Sequence, residues 1–493
     1  MKKTATENTI LYLKRICGVL ILLLSIAAPA LQAQSNDSPR ATLKGWESDL
    51  KLFIKDRTNN YGGVYYDRGL FRWTTSEMMM EYHIDLFTYG FSYFDDHEWS
   101  TSKNGFRSMV GSLNTPEFAV HSELKTHQAV SKNGTVTINA FQQENRQAKR
   151  SLFILGYQYR FGENHLAGVS QTLGQKKTDL DATLFYQFGN RDIGFITTEI
   201  TLLDWFNNKV TGLSEDRQSE FLIRHNYSKK PYLYVLRLES PQIGIFRGEA
   251  TLGIQPRTEA RVSRRELPLE DFIMEDWVNY QAALLEANYG GLTAGIIYQR
   301  TFARMQRDAA SGSDYLLDFG NRQIQHRGGA YLHYRWKDFG FEQWFFIERN
   351  RDHQFDNEPA EYRAQDPKAG GRYPFDFNEV RRWNKSRIFY QPKTGFTAYL
   401  EHNGDWRDLG MDGETGDGRI FEALNYRTYY TDQIVSRNER LTLSVGYRFT
   451  KNFWLTLGAS YDVDGDLKDG FDQPRDATRA GFDGGFGRMH FTW

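Results

Sequence analysis

Several stretches of this chain alternate between apolar and polar side chains, and each predicts a β-strand with two unlike faces. From Ser151 the chain reads SLFILGYQYRF, which sets Phe153, Leu155, Tyr157, Tyr159 and Phe161 against Gly156, Gln158 and Arg160. TDLDATLFYQF repeats the device, with Leu180, Ala182, Leu184, Tyr186 and Phe188 opposed to Asp179, Asp181, Thr183 and Gln187. RLTLSVGYRFT places Leu441, Leu443, Val445, Tyr447 and Phe449 on one face, and FWLTLGASY resumes after a two-residue turn with Phe453, Leu455, Leu457, Ala459 and Tyr461. The chain stops on GFGRMHFTW, where Met489, Phe491 and Trp493 alternate with Arg488, His490 and Thr492. Successive side chains on a strand point to opposite faces, so a period of two is the strand signal.

The chemistry of the two faces is more telling than the period. One ladder is apolar and bounded by Tyr and Phe, while the other is small or polar. Strands of about ten residues with aromatic margins are the pattern of a transmembrane β-barrel, lipid outside and water inside. Half of each strand then faces water, so a mean hydropathy of −0.62 is expected even for a membrane protein. Beyond the N-terminal segment there is no apolar run of the ~18 or more residues that a membrane-spanning helix needs. Short joins, such as KD between Trp336 and Phe339, alternate with long polar stretches at 304–323, 350–379, 403–419 and 462–480. That asymmetry predicts tight periplasmic turns and long extracellular loops.

The N-terminus adds the route. Lys2, Lys3, Lys14 and Arg15 precede the apolar run GVLILLLSIAA, which is followed by Pro29 and ALQAQ. This is the layout of a secretory signal peptide. Cleavage is expected after Ala33, with Ala30 the alternative. The only cysteine is Cys17, so the mature chain is expected to carry no thiol and no disulfide. A formal net charge of −1 leaves no basic stripe for nucleic acid, which is excluded as a partner.

The signal peptide, the amphipathic strands and the terminal MHFTW resemble the outer-membrane β-barrel proteins of Gram-negative bacteria, porin-like in architecture. The resemblance covers the mature chain and matches no specific family. It implies a location in the bacterial outer membrane, outer-membrane lipids and lipopolysaccharide as surroundings, and recognition of Phe491 and Trp493 by the barrel-assembly machinery. About 25 residues per strand with its turn or loop gives roughly 18 antiparallel up-and-down strands, within about 16 to 20. The expected organisation is a signal peptide at 1–33, a short periplasmic lead at 34–45 and the barrel at 46–493.

Barrels of about this size enclose an aqueous channel unless loops fold inward. The polar faces give pore-lining candidates of both signs: Glu81, His83, Asp85, Arg160, Asp179, Asp181, Glu199, Arg237, Glu239, His333, Arg335, Glu342, Glu348, Glu401, Arg448 and Arg488. Inward Phe185, Phe195, Trp344 and Phe346 are expected to pack rather than to form a sliding surface for sugars. Arg257, Arg261, Arg264 and Arg265, followed by Glu266, Glu270, Asp271, Glu275 and Asp276, would set a constriction if 257–277 were an inward loop. RRWNKSR at 381–387 reads as a solvated basic stretch. No cofactor is expected. DVDGDLKDGFD at 462–472 is the one place for a loose divalent cation, although its spacing fails the twelve-residue calcium-loop pattern. No G-x-S-x-G, H-E-x-x-H or P-loop is present. The expectation is a non-enzymatic channel for passive passage or export of a hydrophilic solute, saccharides first. The alternatives are a lipid-modifying outer-membrane enzyme and a non-conducting scaffold or adhesin.

Overall fold

The computed structural model describes residues 104–113, 119–144, 149–174, 182–202, 209–210, 223–264, 271–311, 319–356, 375–413, 437–463 and 481–493. The strands are β1 (Gly105–Leu113), β2 (Ala119–Ala129), β3 (Gly134–Glu144), β4 (Lys149–Phe161), β5 (His165–Gly174), β6 (Ala182–Asn190) and β7 (Gly194–Leu202). They continue with β8 (Lys209–Val210), β9 (Ile223–Lys229), β10 (Tyr232–Glu239), β11 (Phe246–Arg264), β12 (Phe272–Tyr289), β13 (Leu292–Ala309) and β14 (Phe319–Trp336). The last are β15 (Phe339–Asp356), β16 (Phe375–Tyr390), β17 (Gly395–Gly413), β18 (Arg437–Thr450), β19 (Phe453–Asp462) and β20 (Gly481–Thr492).

Each strand pairs antiparallel with its chain neighbours, with one exception. β7 pairs directly with β10, while β9 continues the line of β10 along β11 and β8 pairs with β9. β9 and β10 are two lengths of one wall strand, interrupted at Lys230 and Pro231, where proline has no N–H to give the ladder. The ring closes where β1 meets β20, from Gly105 opposite Thr492 to Leu113 opposite Gly484. The result is a closed antiparallel barrel of 18 wall strands. Both edges of β1 are paired, with β2 and β20, and residues 1–103 lie outside the described residues.

The turns that lie wholly within the described residues gather at one end. Lys337 and Asp338 join β14 to β15, and the φ of 54° at Lys337 belongs to the primed turn that a two-residue hairpin needs. Lys451 and Asn452 join β18 to β19, as the alternation predicts. At the opposite end the strands run further than expected. Residues 304–309 and 319–323 belong to β13 and β14, 350–356 and 375–379 to β15 and β16, and 403–413 to β17. Above the bilayer the outer face no longer has to be apolar, so the alternation fades while the hydrogen-bonded ladder continues.

Strand phase decides which side chains meet lipid. Leu441, Leu443, Val445, Tyr447 and Phe449 on β18, and Leu455, Leu457 and Tyr461 on β19, are exposed on the outer face; Leu457 keeps 66% of its surface. Phe491 and Trp493 face outward beside them, whereas Arg488 and His490 turn inward and are buried. Inside, five glycines share one device. Gly168, Gly295, Gly329, Gly340 and Gly458 stand directly across the ladder from Phe185, Tyr331, Phe346, Phe389 and Phe486. In each pair the ring lies over the bare backbone of the neighbouring strand; a Cβ on Gly458 would sit 2.1 Å from Phe486. Such aromatic cover protects a ladder that a glycine would otherwise leave unpacked.

Two consequences are measurable by urea unfolding of the barrel in detergent. Leu457→Arg places a charge on the lipid face of a strand and is expected to destabilise by about 2–4 kcal/mol, whereas Asn139→Arg, on the inner face, changes stability little. Gly458→Ala is expected to cost roughly 1–3 kcal/mol through overpacking against Phe486. Most of that cost should vanish in the Phe486→Ala background, giving a non-additive double-mutant cycle.

Candidate functional site

The inner wall has two unlike sides. On β2 to β7 many inward side chains are small or polar and partly open to solvent, among them Glu123, Lys125, Thr137, Gln158, Ser170 and Gln187. On β10 to β20 the inward side chains are almost all buried, and many are charged. Burying a charge in a low-dielectric interior costs several kcal/mol unless it is paired, so this side is built from ion pairs.

The densest group spans four strands near the turn end. Arg387 on β16 donates through Nε to Glu401 Oε2 on β17 at 2.8 Å and through Nη1 to Glu342 Oε2 on β15 at 3.4 Å. Its Nη2 also bonds Glu401, and its guanidinium lies over Tyr399 with 5.6 Å to the ring centroid. Lys385 Nζ is 3.2 Å from Glu401 Oε2. His333 Nδ1 on β14 is 3.1 Å from Glu342 Oε1. An ionised carboxylate only accepts, so the proton of His333 sits on Nδ1. The cross-strand register produces this set: His333 faces Glu342, Glu342 faces Arg387 and Arg387 faces Glu401.

A second group lies on β11, β12 and β14. Arg247 pairs with Glu249 at 2.6 Å and with Glu286 at 3.4 Å. Glu286 also accepts from the Tyr331 hydroxyl and, at 2.8 Å, from Asn288 Nδ2. Tyr331 stacks on Trp344 at 4.5 Å and Trp344 on Phe346 at 5.5 Å, so an aromatic row leads from this group up the neighbouring strands. A third group is basic. Arg448 lies over Trp454 at 4.8 Å, Trp454 packs on His490 at 4.5 Å, and Arg107 donates to Glu123 at 2.6 Å.

The sequence candidates distribute as follows. His333, Glu342, Glu401, Arg448, Arg488 and Arg237 are inward and buried. Glu199 and Glu239 are inward and half-exposed, and Arg160 is inward and exposed near a turn. Arg335 is inward at the turn rim, donating to the carbonyls of Lys337 and Gln391. Glu348 sits on the inward register of β15 opposite Arg327 and Arg381. Glu81, His83, Asp85, Asp179 and Asp181 lie outside the described residues, as do 464–472 of the 462–472 cation loop. Among the described residues no group of three His, Cys, Asp or Glu is placed to hold a metal ion.

The constriction at 257–277 is corrected. Residues 257–264 and 272–277 are wall, paired with each other in β11 and β12. A bulge between Gln255 and Thr258, at Pro256, adds a residue and reverses the phase of β11. Thr258, Ala260 and Val262 therefore turn inward, while Arg257, Glu259 and Arg261 turn outward. On the outer face Arg257 pairs with Glu275, Arg261 with Asp271 at 2.8 Å and Glu259 with Lys229 at 2.9 Å. Arg264 ends β11, and Arg265 lies outside the described residues. RRWNKSR is likewise a length of β16 rather than a solvated loop, and it supplies the buried Lys385 and Arg387. Arg247, Glu249 and Glu286 were missed, although the alternation Arg247, Glu249, Thr251 marks an inward face.

The outside is apolar with aromatic margins, the inside is charged, and the ring of strands closes through β1 and β20. This is a bacterial outer-membrane β-barrel. No protein-family model matches the chain, and no curated protein matches it. Among solved structures it is similar to OccAB3 of Acinetobacter baumannii, at 9% identity and a TM-score of 0.37, covering 80% of this chain and 99% of that one. Pseudomonas aeruginosa OccK11 (OpdR) gives 11% identity and 0.35, covering 80% and 96%. An anion-selective porin from Comamonas acidovorans gives 11% and 0.30, covering 79% and 98%. These scores carry no assignment of function, and the barrel is read from the chain's own strand pairing.

Removing one member of the four-strand ion group tests its weight. Arg387→Met is expected to destabilise the barrel by about 3 kcal/mol, the low end for breaking a buried pair, because Glu401 keeps Lys385 and Glu342 keeps His333. Adding Glu342→Gln is expected to recover part of the loss, read from the urea midpoint in detergent.

Proposed function

We propose that the barrel is a passive channel for small hydrophilic solutes, with saccharides the leading class. The observation that carries this reading is the wet inner wall of β2 to β7. Glu123, Lys125, Asn139, Gln158, Gln187 and Glu199 offer donors and acceptors of both signs along a solvent-accessible strip. A solute that exchanges water for such groups enters favourably and is held weakly enough to leave. The buried ion pairs opposite hold that side of the lumen rigid, and selectivity comes from the charges of the wet strip. The aromatic row gives no sliding surface, since Trp344 and Phe346 are buried; sugar recognition therefore rests on hydrogen bonding. Phe491 and Trp493, outward on the strand that closes the ring, are the assembly signal in this proposal.

The purified barrel in planar bilayers is expected to give discrete conductance steps, and liposome swelling rates are expected to fall with increasing sugar size. Glu199→Lys is expected to shift the reversal potential toward anion preference with little loss of stability. An electrically silent, fully folded barrel that admits no sugar would overturn the channel reading.

A further inference from the structure

The outer face carries a charged feature that neither the lumen nor the lipid belt requires. Counting from the turn at Gly290 and Gly291, the outward register of β13 runs through Leu292, Ala294, Ile296 and Tyr298, the last two exposed, before Arg300. That apolar stretch rises about 20 Å at the usual strand rise and tilt, close to the height of a barrel's lipid band. Arg300 therefore lies at the bilayer boundary on the long-loop side. The register puts Arg300 beside His326 on β14 and His326 beside Arg349 on β15, and Arg322 follows above on β14. Arg300, Arg322 and Arg349 are exposed, and His326 is tied by its Nδ1 to the Tyr298 hydroxyl at 2.8 Å.

Other exposed cations of the same outer face are neutralised on the surface. Arg257 and Arg261, on the same outer face, each hold a carboxylate. Among the described residues Arg300, Arg322 and Arg349 have no carboxylate at ion-pair distance. Strands lie about 4.8 Å apart, so Arg300 and Arg349 flank His326 across about 10 Å. Three uncompensated guanidiniums at headgroup height, directly above an aromatic margin, suit an anionic partner anchored in the same leaflet. Arginine matches phosphate with two parallel hydrogen bonds.

We infer that this patch on β13 to β15 is a binding site for the phosphate groups of an outer-leaflet glycolipid, lipopolysaccharide, held against the barrel wall. The long-loop side is the outer leaflet, which decides for the glycolipid over a phospholipid. The site is separate from the channel and stands whether or not the lumen conducts.

The test is retention of fluorescent lipopolysaccharide by the detergent-purified, folded full-length barrel, with folding checked by heat-dependent gel migration. The native barrel is expected to retain the phosphorylated glycolipid and to release the same molecule after its phosphates are removed enzymatically. The triple variant Arg300→Gln, Arg322→Gln, Arg349→Gln is expected to lose at least about tenfold in retention. The equally neutralised control Lys229→Gln, Arg257→Gln, Arg261→Gln is expected to retain it as the native barrel does. Retention by the first triple variant, retention of the dephosphorylated glycolipid, or equal competition by phosphatidylglycerol would each overturn the assignment.

Discussion

Every backbone amide and carbonyl that meets hydrocarbon has to be hydrogen-bonded within the protein, and the rest of the structure follows from meeting that constraint. A sheet meets it only by closing, which here means the ladder between β1 and β20. Closure explains where the irregular residues fall. Pro231 sits between two lengths of one wall strand and Pro256 at a bulge, both on the longer wall strands rather than in the middle of a ten-residue span. It also explains why Gly168, Gly295, Gly329, Gly340 and Gly458 are each faced by a ring. A bare ladder would be weakly packed, and the ring across from it supplies the missing surface.

The interior divides its work between two walls. On one, Arg387, Glu342, Glu401, Lys385 and His333 satisfy one another across four strands, and their removal from water makes each dependent on the others. Such a network holds register rather than meeting solute. On the other wall the polar side chains keep contact with solvent, and there a passing molecule finds exchangeable partners. Charge is thus used for cohesion on the buried side and for passage on the wet one. Above the bilayer the logic inverts on β11 to β13, where Val262, Phe272, Met274 and Met305 are buried inside and ion pairs occupy the outer face.

The architecture was legible because lipid forces strict alternation. Leu441 to Phe449 and Phe453 to Tyr461 announce their strands, their outward face and the turn between them, and strand spacing gives the size of the ring. Legibility ended where lipid ends. Residues 350–356 and 403–413 read as loops because a strand with water on both faces needs no apolar ladder. The arginines at 257 and 261 were read as a loop that could turn inward, whereas they are wall; a single bulged residue at Pro256 reverses every side chain after it, and a bulge leaves little trace in composition. Arg387 was missed for the opposite reason. RRWNKSR looks solvated as a string, and only the register of β16 against β15 and β17 shows that Arg387 faces two carboxylates. Individual lumen charges such as His333, Glu342 and Glu401 were found by face alone, since burial and pairing are properties of the neighbouring strand.

The central claim is that alternate residues of each wall strand meet lipid and lumen. The chain's only cysteine is Cys17, so single cysteines can be introduced at each position from Phe453 to Tyr461 and spin-labelled in reconstituted bilayers. Paramagnetic accessibility then reads each position directly. Labels at residues 455, 457 and 459 should be relaxed by oxygen dissolved in the bilayer and shielded from a water-soluble nickel chelate, with residues 456, 458 and 460 showing the reverse or protection from both. A profile without period two, or one with the odd positions in water, would contradict the account.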